Sequence, residues 1–234
     1  MTFLYYSSYI IVLPAILVAI WASLNVKLTY SKYSKINNAR GLTAAEVARQ
    51  ILDENGLNNV PINKIRGNLT DNYNPQTNQV NLSESVYNST SVAAIGVAAH
   101  EIGHAIQHKE GYVPIRIRSA IVPATNIGSN LAFPLVFLGI LFSAWGSTSF
   151  GQTMVTVGIW MFVLVVFFQL ITLPVEFNAS ARAMRTLNND GILFGNELKG
   201  ARKTLTAAAL TYVAALLTAI LNLVRLIAIS QRRR

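Results

Sequence analysis

The chain contains no cysteine. That excludes a disulfide framework and any thiolate metal site, so a bound metal would have to be held by His, Asp or Glu. Charge is also scarce: Asp, Glu, Lys and Arg make up 12% of the 234 residues, while hydrophobic types make up 52%. An ordinary soluble domain carries about twice that charged share. The mean hydropathy of +0.40 argues against a simple soluble enzyme, and this much apolar surface excludes disorder. Histidine is rare as well, with three in the whole chain.

The absence of charge is concentrated. Met1–Val26, Ser119–Val175 and Thr204–Val224 contain no charged side chain. A bilayer-spanning helix needs roughly 20 apolar residues. The first stretch therefore predicts one span (Tyr9–Val26). The second, at 57 residues, predicts two (Ala120–Trp145 and Thr153–Val175), joined by the polar turn Gly146–Gln152. The third predicts one (Thr206–Ile229). Pro123, Asn126, Asn130 and Pro134 interrupt the second span, as residues facing other helices or a cavity do. Met1–Ser8 lacks the basic residues of a signal peptide, so the first span reads as a retained anchor.

Net charge is +9, and most of it reports topology rather than nucleic-acid binding. Lys27, Lys32, Lys35 and Arg40 follow the first span directly, which places residue 27 onward in the cytoplasm. Arg182, Arg185, Lys199, Arg202 and Lys203 put the segment after the third span on the same side. The tail Arg232-Arg233-Arg234 disagrees, because a fourth full span would carry it outside. Incomplete crossing, snorkelling with Arg225 and a true exception all remain open. The expected organisation is an anchor over 1–26, a cytoplasmic catalytic region over 27–118 and a transmembrane hairpin over 119–175. A cytoplasmic helical segment over 176–205 and a C-terminal span with basic tail over 206–234 complete it.

Residues 27–118 read as soluble sequence. Thr43-Ala44-Ala45-Glu46 is a capping box that opens a helix stopped by Gly56. Val60–Ile65 alternates weakly, as a short strand does, and Asp71–Pro75 reads as a turn. Gln79–Ser83 alternates at period two and predicts a strand. Asn88–Ser91 supplies N-cap types for a helix over Val92–His108.

All three histidines fall in that helix, in His100-Glu101-Ile102-Gly103-His104-Ala105-Ile106-Gln107-His108. The first five residues are H-E-x-x-H. Histidines at i and i+4 share one helix face, about 6 Å apart along the axis, close enough to bind one Zn²⁺. Glu101 beside them can reach a water at the metal and take its proton. His108 lies about 12 Å from His100 along an unbroken helix, too far to join the same ion. A third ligand should then be a carboxylate. Glu176, in Leu173–Ser180 at the end of the third span, is the best candidate, since a charge there needs a partner. It would open a helix over Phe177–Leu187. The competing reading is a helix-N-terminal Glu favoured by the macrodipole, and spacing alone does not decide.

Three stretches together resemble the YugP-like neutral zinc metallopeptidases of bacteria: Arg40–Tyr73, Ala99–His108 and Leu173–Ser180. More distantly the chain is similar to the HtpX heat-shock peptidases and the CAAX prenyl proteases. Those gluzincins carry spans between H-E-x-x-H and a Glu in an E-F/Y-x-A-D motif. The resemblance implies a mainly α, membrane-embedded zincin-like metalloprotease with about four transmembrane helices and a small cytoplasmic α+β catalytic region. It implies His100, His104 and Glu176 as ligands of one Zn²⁺ per chain and Glu101 as general base. Ser180 stands where the distant relatives have Asp, so the contact behind a ligand histidine either differs here or comes from Asn178.

On these grounds the chain is expected to be a multi-pass protein of the bacterial cell membrane that hydrolyses peptides or membrane-protein segments at its cytoplasmic face. Its partners are then the lipid bilayer and its substrates, without nucleic acid, and oligomeric state is left open. The alternative is a non-catalytic zinc-binding membrane scaffold or regulatory protein, which has no use for Glu101. The strand at Val80–Leu82 is a candidate for pairing with an extended substrate. Tyr73, His108 and Arg182 are candidates for stabilising the oxyanion.

Overall fold

The computed structural model describes the backbone of residues 2–231 and the side chains of residues 10–231. The tail Arg232–Arg234, and with it the topological conflict it raises, lies outside the described residues. Seven helices and one sheet follow in the order α1 (Thr2–Tyr33), α2 (Ala44–Glu54), β1 (Ile62–Ile65), β2 (Asn72–Asn74), β3 (Gln79–Ser83), α3 (Glu84–Tyr87), α4 (Val92–Lys109), α5 (Val113–Ala144), α6 (Thr148–Asn189) and α7 (Gly195–Gln231). Four of these, α1 from Ile10 together with α5, α6 and α7, are long and apolar enough to cross a membrane. The fold is thus mainly α with a small three-stranded sheet.

Backbone contacts divide the chain into two units, 1–21 with 117–173 and 212–234, and 22–116 with 174–211. In the second unit, local sequence sets the element ends. Thr43 Oγ1 accepts from Glu46 N (3.2 Å) while Glu46 Oε2 accepts from Thr43 N (2.7 Å), closing the capping box that starts α2. Ser91 Oγ accepts from Ala94 N at the start of α4, and Gly111, at φ +65°, turns the chain left-handed just after its end. Val47, Ile51 and Leu52 of α2, Val80 and Leu82 of β3, and Ile95 and Ile102 of α4 meet in one buried core with Leu187 and Leu193. Each such side chain contributes roughly 1.5–3 kcal/mol on removal from water.

The sheet order is β1-β3-β2, with β1 parallel and β2 antiparallel to β3. Asp71–Pro75, expected as a turn, holds β2, and the turn falls after it, where Asn78 takes φ 51°. Strand β3 is central. Val80 pairs with Ile62 on one side and Tyr73 on the other, and Ser83 N donates to Asp71 Oδ1. Its ladder groups are already in use, so the expected pairing of Val80–Leu82 with a substrate is overturned.

In the first unit, a smaller buried cluster joins Ala132 and Val136 of α5, Phe162 and Val166 of α6, and Ala219 and Leu226 of α7. Large apolar side chains such as Phe137, Trp160 and Phe167 face outward. Helices α5 and α6 approach at glycines: a Cβ on Gly139 would meet Gly151 O at 2.6 Å, and one on Gly158 would meet Ala132 O at 2.8 Å. Small residues that admit this approach are how helices associate where lipid removes the hydrophobic drive. Pro123 and Pro134 lie inside α5 without ending it, and Pro174 lies inside α6.

Candidate metal centre

His100 and His104 stand one turn apart on α4, their rings 4.7 Å centre to centre and nearly perpendicular. Helix α6 brings Glu176 against them. Its Oε2 lies 3.2 Å from His100 Nε2 and 3.5 Å from His104 Nε2, and one ligand atom from each of the three residues falls within a 4.8 Å cluster. Four ligands held at 2.0–2.1 Å around a tetrahedral Zn²⁺ lie roughly 3.3–3.4 Å apart. Two edges of such a polyhedron are therefore already present. The donor set, two imidazoles and one carboxylate with a position to spare, fits a catalytic rather than a closed structural zinc site.

The approach of α6 to α4 depends on Gly103, the residue between Ile102 and His104. A Cβ there would stand 2.6 Å from Ala179 O and 3.1 Å from its Cα. Only glycine lets the two backbones close to this distance. Glu176 sits far inside α6, which starts at Thr148, and not at the start of a new helix over Phe177–Leu187. Macrodipole stabilisation at a helix N-terminus accordingly does not account for it. Its side chain is 2% exposed, and the two histidines supply the partner that a buried carboxylate requires.

The rings are held from behind. Gln107, buried on the same helix, donates from Nε2 to Val175 O (2.8 Å) and to Asn178 Oδ1 (2.9 Å). Two acceptors identify that end as the NH₂ group, so Oε1 faces His104 Nδ1 at 3.0 Å and must accept its proton. His104 Nε2 is thereby left with its lone pair toward Glu176. Ser180 Oγ lies 3.1 Å from His100 Nδ1 and holds the other ring from behind. Both expectations for Ser180 and Asn178 hold in part: Ser180 makes the direct contact, and Asn178 acts through Gln107. Asn178 also accepts from Arg182 Nε (2.7 Å). Gln107 was not singled out in the sequence, although its place three residues after His104 on one helix face was a usable signal.

Glu101 is buried beside the histidines. Burial pushes its carboxyl above the ordinary 4.5. The two histidine charges oppose that rise, and Glu176 and Asp71 add to it. Burial disfavours charged His104, but its bond to Glu176 and the charges of Glu101 and Glu176 outweigh this, so its pKa stands above 6.5. His108 is not in the cluster. It is exposed, with Nδ1 2.8 Å from the Tyr73 hydroxyl, which is also 2.8 Å from Asn78 Oδ1. Arg182 pairs with Glu110 at 2.7 Å. The three oxyanion candidates thus each have a protein partner.

A converging two-histidine, one-carboxylate centre on the helices of a largely apolar chain defines a candidate metallohydrolase of the membrane. The family described as "Putative neutral zinc metallopeptidase" matches residues 8–231, and the chain belongs to it. The chain is 46% identical over 217 residues to the "Putative membrane protease YugP" of Bacillus subtilis (strain 168), covering 93% of each. No solved structure matches. Family membership implies zinc, and the four apolar helices with this relative mark the chain as a membrane protein.

Proposed function

We propose that the chain is a zinc-dependent endopeptidase of the gluzincin type, with His100, His104 and Glu176 holding one Zn²⁺ per chain and Glu101 as general base. The observation that carries the reading is the pair of Nε2–Oε2 separations, 3.2 and 3.5 Å, in a cluster whose other ring nitrogens are tied back. Zinc, when bound, supplies a Lewis acid that polarises the scissile carbonyl and makes water acidic enough to attack near neutral pH. Glu101 takes the proton of the attacking water and later delivers it to the leaving amine. Its raised pKa makes it a stronger base toward that water than an ordinary carboxylate. Gln107 and Ser180 hold the two imidazoles from behind, with their Nε2 edges turned to Glu176.

Substrates are peptides or locally unfolded segments of membrane proteins, cleaved at the cytoplasmic face of a multi-pass protein with its N-terminus outside. Nucleic acid has no part in this reading. The scaffold alternative leaves a buried carboxylate beside the metal cluster without a task, and no contact in the site favours it.

Two measurements test the proposal. Glu101→Gln should retain about one zinc per chain and lose peptide hydrolysis; full activity would refute the base, and full zinc affinity in Glu176→Ala would remove that ligand. The natural absence of cysteine makes topology directly testable. Ser147→Cys should react with an impermeant thiol reagent from outside the cell, and Gln76→Cys only after permeabilisation; the reverse would overturn the orientation.

A further inference from the structure

Apart from the metal cluster, the second unit holds a groove of about 520 Å³ between the start of α7 and the part of α6 that follows Glu176. Its walls are graded along the helices. Phe177, Leu205 and Ala209 form an apolar end, and Arg185, Asn188 and Arg202 form a polar one. The apolar end adjoins the uncharged runs of both helices, 119–175 before it on α6 and 204–224 on α7. The arginines lie farther from those runs, eight residues beyond Phe177 on α6 and seven before Ala209 on α7, which is roughly 10–12 Å of helix.

Arg185 and Arg202 are exposed, and neither has a carboxylate partner among the described residues. Two free guanidiniums on adjacent helices match a phosphate, which they can grip bidentately. The groove lies behind the metal cluster. Ser180 lines it and bonds His100 through Nδ1, the ring edge opposite the one turned to Glu176. A peptide held at the Nε2 edge therefore does not run through it.

We propose that this groove is a binding site for an anionic phospholipid, its phosphate between Arg185 and Arg202 and its glycerol and upper acyl carbons against Phe177, Leu205 and Ala209. The gradient from apolar to cationic over about 10 Å is the one such a lipid presents at a bilayer surface. Basic pockets between membrane helices on the cytoplasmic side take headgroups of this kind. The proposal rests on the membrane placement of the helices and not on peptidase activity, so Glu101→Gln should bind lipid as the natural chain does.

The test is native mass spectrometry of the full-length protein in detergent, titrated with dioleoyl phosphatidylglycerol, dioleoyl phosphatidylcholine or inorganic phosphate. One phosphatidylglycerol per chain should be retained, at least tenfold more tightly than phosphatidylcholine. The double variant Arg185→Gln/Arg202→Gln should lose that preference, while Arg185→Lys/Arg202→Lys, which keeps the charge, should retain most of it and so exclude misfolding as the cause. Equal retention of the two lipids would overturn the proposal. So would undiminished binding by the glutamine pair, equal loss in the lysine pair, or displacement of the lipid by millimolar inorganic phosphate or by an acidic peptide.

Discussion

The two units use the same device for opposite purposes. In both, glycine lets one helix backbone touch another: Gly139 against Gly151 in the first unit, Gly103 against Ala179 in the second. In the first unit the approach buries a small cluster while Phe137, Trp160 and Phe167 remain outside, an arrangement stable only where the surroundings are themselves apolar. In the second it brings together Glu101, Glu176 and two imidazoles, groups that are costly to bury singly, inside a core built as in a soluble protein. Close backbone contact thus serves association in one region and the assembly of a polar site in the other.

The comparison breaks most sharply if chemistry survives without the polar cluster. Glu101→Gln should lower kcat by about 10²–10⁴-fold with zinc content unchanged, measured by steady-state peptide cleavage and elemental analysis. Next in size, Gly103→Ala should cost about 1–3 kcal/mol of stability and also weaken zinc binding, because Ala179 and with it Glu176 must move away. Gly139→Ala should cost a similar amount yet leave zinc affinity intact, and equal zinc loss in both variants would erase the distinction between the units. Ser180→Ala should weaken zinc binding by roughly 10–100-fold by freeing the His100 ring, read by competition with a chelator.

The smallest effect is the position of the acid limbs. Zinc requires neutral imidazole, and His104 holds its proton more tightly than a free histidine, so affinity should fall with decreasing pH from above 6.5. Glu101 must be ionised to act as base, so the acid limb of kcat/KM should lie above 4.5. Limbs at the unperturbed values would show that neither the burial of Glu101 nor the carboxylates beside His104 govern these groups.

Much of this was legible in the sequence because the signals were local. H-E-x-x-H marked two candidate donors and the base candidate through helical periodicity, and stretches without charge marked the four apolar helices. Thr43 and Ser91 marked helix starts that the structure keeps. What failed depended on partners distant in sequence. Nothing near Val80 says that β1 and β2 close on both sides of β3. A new helix was expected to open over Phe177–Leu187, yet α6 runs unbroken from Thr148 through Pro174, one missing backbone donor not being enough to end it. The role of Gln107 becomes visible only when Val175 and Asn178 arrive from another helix.

The amide of Gln107 works as a one-way peg. A glutamate in its place would still accept from His104, but it would face the lone pairs of Val175 O and Asn178 Oδ1 with a third and fourth set of its own, turning two attractions into repulsions. A leucine of similar bulk would free His104 to present the wrong nitrogen. The handedness of one primary amide, oxygen toward the imidazole and nitrogen toward the neighbouring helix, thereby decides which face of His104 is available to a cation.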